Sequence, residues 1–127
     1  MNTHTIDRVL RKFQVRNYLG VFARDKIPRD KIGIFVVNLD TSDQPGSHWV
    51  CVYTNGKKGE FFDSFGCPPS YQSIRNYMGR HCTGGWTYSN KQLQSAISRF
   101  CGHYCVLYCI LRSKNYKLPR FLSLFTT

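Results

Sequence analysis

The chain has 127 residues, 42% of them apolar and 20% charged, and eighteen Lys and Arg against seven Asp and Glu give a formal charge of +11. That length fits one domain, residues 1–127, with enough apolar surface for a core that needs no metal or disulfide staple, and the balance excludes a disordered chain. The longest clean apolar run, Cys105 to Leu111, falls far short of the ~18 residues that a bilayer crossing requires.

In chain order, Ile6, Val9, Leu10 and Phe13 recur at helical spacing, so residues 5–17 read as an amphipathic helix with Arg8, Arg11, Lys12 and Arg16 on its other face. Ile32 to Leu39 is a β-branched apolar run that reads as a buried strand. Thr41 to Ser47 is a turn-rich loop. His48 to Thr54 and Gly59 to Ser64 read as two strands joined at Asn55–Gly56. The segment from Cys67 reads as a helix started by Pro69 and stopped by Gly79. Gly85 to Ser89 is a short strand. Cys101 to Arg112 is a helix apolar on nearly every side, expected at the centre. The tail after Pro119 is apolar and ambiguous in type. The predicted class is α+β: a small, mostly antiparallel sheet packed on a buried central helix.

The opening MNTHTIDRVLRKF has no long apolar stretch behind a basic region, and so does not read as a secretory signal. Six cysteines are many for this length, and without a signal they read as free thiols in a reducing compartment. Eight of the eighteen cations precede residue 32 and the rest are spread along the chain. Such a surface favours polyanions, and we expect nucleic-acid binding without sequence preference. The interleaved aromatics Tyr71, Tyr77, Trp86 and Tyr88 suit the core and a substrate groove better than base stacking.

The chemistry concentrates in four residues that occur in the order His48, Asp63, Gln94, Cys101. A free thiol near pKa 8.5 is mostly protonated at neutral pH, and a helix N-terminus or an imidazolium partner would lower that value. Cys101 stands where the last long helix should begin. His48 opens a strand after a loop, and Asp63 lies one hairpin further on, able to fix the imidazole tautomer. Gln94 can turn its side-chain amide to the oxyanion of a tetrahedral intermediate, with the backbone N–H of Cys101. Gln92 also lies near, with a spacing that fits less well. Together these are a thiol nucleophile, a base, an orienter and an oxyanion donor. Cys101, Cys105 and Cys109 recur along one helical face, and we assign Cys105 and Cys109 to core packing. A zinc site from the CGHYC motif, Cys101 to Cys105 with His103 between, and Cys67, His81 and Cys82 is the rival reading, but no C-x-x-C pair exists and no metal is expected.

These motifs resemble the adenovirus maturation protease (adenain) family, with its relatives in other large DNA viruses and virus-like transposons, nearly from end to end. Asn17 to Phe22, NYLGVF, is similar to the family's aromatic–Leu–Gly segment. His48–Trp49 matches its His-Trp, Phe62-Asp63-Ser64-Phe65-Gly66 its Phe-acid-x-Phe-Gly, and Gln94 with Cys101, Gly102 and Cys105 its Gln-x₆-Cys-Gly-x₂-Cys. The resemblance implies a papain-like, permuted cysteine protease fold, with His48 as base, Asp63 as orienter, Gln94 as oxyanion donor and Cys101 as nucleophile. It implies cleavage of viral precursor proteins of capsid or core during virion maturation, in the virion and the host nucleus or cytoplasm. No cofactor is required for the chemistry, although family members use viral DNA and an activating peptide. Cys82 stands near the position where adenovirus enzymes form a disulfide to that peptide, and its polar context, GRHCTGGW, predicts an exposed thiol favoured as thiolate by Arg80 and His81. A monomer is expected. Asp63 replaces the Glu common in adenovirus enzymes, and the chain is much shorter than theirs. The nearest rival function is a ubiquitin-like-protein deconjugase, which usually has Asp-Cys-Gly at the nucleophile and a Gln-to-Cys interval one residue shorter. The rival from another class is a non-catalytic basic nucleic-acid-binding module.

Overall fold

The computed structural model describes residues 1–40, 48–93 and 100–126. Nine elements follow in order: α1 (Thr3–Lys12), β1 (Tyr18–Ala23), β2 (Ile34–Asn38), β3 (Trp49–Thr54), β4 (Gly59–Phe62), α2 (Gln72–His81), β5 (Trp86–Tyr88), α3 (Cys101–Ser113) and α4 (Leu118–Ser123). The strands form one sheet in the order β1-β2-β3-β4-β5. Its centre is antiparallel, β2 with β3 and β3 with β4, while both edge pairs are parallel. The sheet is therefore mixed rather than mostly antiparallel.

Alternation along the central strands sends side chains to two cores. Ile34, Val36, Trp49, Cys51 and Phe62 face α1, α3 and α4. Phe35, Val37, Val50, Val52 and Phe61 face α2 through Ile74, Tyr77 and Met78. On the first face Phe62 stacks on Tyr108 at 5.1 Å, and Phe121 meets both rings edge-on. Such pairs add roughly 0.5–1.5 kcal/mol each beyond the area they bury. Glu60, inside this layer, accepts from the Tyr108 hydroxyl and the Leu118 N–H, with Arg112 at 3.2 Å.

Several boundaries differ from those expected. α1 starts at the Asn2 cap, whose side chain accepts from Thr5 N–H, and stops at Lys12 rather than running to 17. Gln14 and Asn17 take left-handed φ values of 53° and 58°, which no helix accommodates. α2 runs through Gly79 to His81, because no turn requires a glycine there and the last turn continues to Cys82. α3 is not buried all round: Cys105, Val106, Tyr108 and Cys109 face the core, while His103 and Leu107 face solvent.

Candidate active site

β3 and β4 are neighbours in the sheet, so His48, just before β3, and Asp63, just after β4, come to the same end. The two meet: His48 Nε2 donates to Asp63 Oδ1 over 3.0 Å. Since the carboxylate accepts, the proton on the neutral ring belongs to Nε2. The same Oδ1 accepts from the Phe65 N–H at 2.9 Å. The Phe65 ring lies on the imidazole, 4.5 Å between centroids and 19° between planes. The ring of His48 is thus fixed by a hydrogen bond on its edge and an aromatic on its face.

Cys101 is the first residue of α3, the positive end of a 13-residue helix dipole. Burial pushes its thiol pKa up, but hydrogen bonding to His48, the charge of His48 and the backbone of Trp49 and Gly102 outweigh it and leave the thiol below its ordinary value. Burial pushes His48 down, but the hydrogen bonds and charges of Asp63 and Cys101 raise it to about 9. The remaining ring nitrogen, Nδ1, is buried and, among the described residues, makes no hydrogen bond of good geometry. It remains close enough to the thiol for each group to shift the other.

Gln94 lies outside the described residues. The chain leading to it is anchored. Leu93 N–H donates to Ser64 O at 2.8 Å, and Leu93 O accepts from the Tyr104 hydroxyl at 3.1 Å. Gly66 permits this approach, since a Cβ there would stand 2.8 Å from the Lys91 backbone and its φ is +81°.

A fourth contributor had no signal in the sequence. Ser89, fully buried at the end of β5, accepts from the Asp63 N–H and donates to the Asp63 carbonyl, each at 2.8 Å. A lone serine after a three-residue strand gives no hint of that role.

Cys82 corrects the expectation of an exposed thiol. It is 5% exposed, at the end of α2, with its sulfur against Gly59 of β4. Burial raises its thiol pKa, opposed only in part by a hydrogen bond with Thr54. The cations expected to favour the thiolate are engaged elsewhere: Arg80 pairs with Asp30 and His81 bonds to the Arg29 carbonyl. Cys67 is the exposed thiol instead. Cys105 and Cys109 are fully buried in the core, with Cys109 Sγ 3.7 Å from Cys51 Sγ. Among the described residues no three His, Cys, Asp or Glu gather to hold a metal, and no helix is long and apolar enough to cross a membrane. Of the four aromatics, Tyr77 is core, Tyr71 packs at its margin, and Trp86 and Tyr88 stand exposed on the edge strand.

The fold is shared with two solved proteases. It matches the crystal structure of ASFV pS273R protease at a TM-score of 0.68, with 17% identity over 99% of this chain. A selenomethionine structure of the same protease gives 0.68 at 19% identity over the whole chain. It also matches SUMO protease Ulp1, solved with its catalytic cysteine oxidised to a sulfonic acid, at 0.54 and 16% identity over 96% of the chain and 72% of Ulp1. The chain spans only 62–63% of the ASFV protease's length. No family model and no curated protein matches it.

Proposed function

We propose that this chain is a cysteine endopeptidase that cleaves viral precursor proteins during virion maturation. The observation that carries the reading is the His48–Asp63 pair beside a thiol at the start of α3, with thiol and imidazole each favouring the other's charged form. Cys101 Sγ, as thiolate, attacks the scissile carbonyl carbon. The Gln94 amide and the Cys101 N–H hold the oxyanion. His48 passes its proton to the departing amine as the C–N bond breaks, leaving a thioester. Water then attacks that thioester, His48 takes the water's proton, and the acid product leaves with the thiol restored. Asp63 keeps the imidazole oriented and stabilises its charged form.

The viral-precursor substrate is supported by the motif spacing, by Phe100 where deconjugases usually carry Asp, and by the likeness to the ASFV protease. The likeness to Ulp1 favours a second reading, a ubiquitin-like-protein deconjugase. A panel of ubiquitin-like fusions beside viral capsid and core precursors separates the two. Cleavage of precursors alone supports the proposal, and cleavage of the fusions alone replaces it with the second.

Non-specific nucleic-acid binding belongs to the same proposal, with viral DNA as a cofactor or as a path to substrate. Its support is the charge of +11. Phosphate neutralisation releases counterions, so log K for duplex DNA should fall linearly with log salt. A salt-insensitive affinity would remove nucleic acid from the proposal.

A further inference from the structure

A second constellation lies away from the catalytic candidates, none of which lines it. Between the segment after β1 and the outer face of α2 is a cavity of about 390 Å3. Its wall carries three guanidiniums, Arg24, Arg29 and Arg80, against one carboxylate, Asp25, with the Ser73 hydroxyl and the Asn76 amide between them. Arginines repel one another, and three in one concavity lower the fold's stability unless an anion is present.

Two features make this a built site rather than a chance gathering of surface cations. The first is Arg24. Its guanidinium carbon sits 4.1 Å from the Tyr71 ring centroid, so the planar fork is held in place. Its Nε is buried and, among the described residues, has no hydrogen-bond partner. A buried charged donor without a partner is costly. The second is the rigidity of the rim. Tyr77, on α2, donates its hydroxyl to the Lys31 carbonyl at 2.6 Å, and the His81 ring bonds to the Arg29 carbonyl at 2.6 Å. The Arg24 N–H donates to Asn38 O at 3.0 Å, tying the segment's start to β2. Among the described residues Arg80 is held by Asp30, whose side chain is 84% exposed, an ion pair weak enough for a stronger anion to replace.

We propose that this cavity binds a compact polyphosphate group, such as that of a nucleoside triphosphate. Guanidiniums present paired N–H donors that match phosphate oxygens two at a time. Three of them around one small cavity suit closely spaced phosphates rather than a single carboxylate. The concave shape also favours a small ligand over the rod of a duplex, whose phosphates would meet a convex or open surface. The site is independent of the protease reading, since its readout is binding and not turnover.

The test is calorimetric titration of the full chain with inorganic tripolyphosphate at 150 mM chloride, beside ATP and a short DNA duplex. We expect saturable one-site binding of tripolyphosphate and ATP. Arg24→Gln and Arg80→Gln should each weaken it at least tenfold. Arg80 is half-exposed, so its variant keeps the test decisive if Arg24→Gln fails to fold. Arg8→Gln, on the exposed face of α1, should leave binding unchanged. An equal loss in Arg8→Gln would mean that bulk charge is responsible and would overturn the proposal. So would the absence of saturable binding, or a duplex that binds through Arg24 while tripolyphosphate does not.

Discussion

Ser89 Oγ holds both backbone polar groups of Asp63, accepting from the N–H and donating to the carbonyl at 2.8 Å each. The hydroxyl thereby sets where the carboxylate starts, and the carboxylate sets where the imidazole points. Ser89→Ala leaves the buried Asp63 N–H short of its partner, while the Asp63 carbonyl keeps the Gly66 N–H at 2.8 Å. We expect a loss of about 1–3 kcal/mol in unfolding free energy. As a positioning residue, Ser89 should also affect kcat more than KM and move the alkaline limb of the pH profile downward. Loss of stability with an unchanged pH profile would make Ser89 structural only.

The pH dependence follows from the two shifted groups. His48 is raised from 6.5 to about 9, so its stabilising contribution is full below 6.5 and is lost as pH rises through about 9. Cys101 is lowered from 9.0, so its contribution is present above that value and is lost as pH falls through the lowered one. Thiolate and imidazolium coexist between the lowered thiol value and about 9, titrating as a coupled pair. A profile of kcat/KM against pH should show its alkaline limb near pH 9. Asp63→Asn removes the largest influence raising His48 and should shift that limb to lower pH. A limb that does not move in Asp63→Asn would contradict the pairing.

Asp63→Asn should be less damaging than the ~10⁴-fold loss of the corresponding change in a serine triad. Phe65 stacks on the imidazole and limits its rotation even when the carboxylate is gone. Phe65→Ala combined with Asp63→Asn should therefore lose more than the product of the single losses. Gln94→Ala should lower kcat by ~10²–10³-fold if its amide is the oxyanion donor. Steady-state kinetics on one cleaved substrate checks all four variants.

The thiols should divide by exposure and by thiolate character: Cys67 is exposed, while Cys101, although buried, is shifted toward its thiolate by His48. Under native conditions iodoacetamide should modify Cys101 and the exposed Cys67, leaving Cys51, Cys82, Cys105 and Cys109 until the chain is unfolded. Mass spectrometry after short labelling reads this directly. Rapid native labelling of Cys82 would contradict its burial against Gly59.

What could be read in advance, and what could not, divides along local and non-local causes. The meeting of His48 with Asp63 is legible because the hairpin between β3 and β4 brings both to one end of the sheet, and the start of α3 at Cys101 is legible in its apolar pattern. The two-sided core was legible in part, through the apolar run of β2. β1 was not recognised as a strand, since its pairing with β2 is parallel and depends on a connection that no local pattern describes. Cys82 was misjudged for a related reason. Its neighbours in sequence are polar, but its neighbour in space is Gly59, whose lack of a side chain makes room for the sulfur. Ser89 was invisible because a buried hydroxyl clamp leaves no periodicity and no motif.

The most direct test of the central claim is turnover of a quenched-fluorescent peptide library by the wild-type chain and by Cys101→Ala, with folding of both checked by circular dichroism. The expected result is multiple-turnover cleavage by the wild type and none by Cys101→Ala. Cleavage at the wild-type rate by the folded Cys101→Ala variant would contradict the assignment of this thiol as the nucleophile.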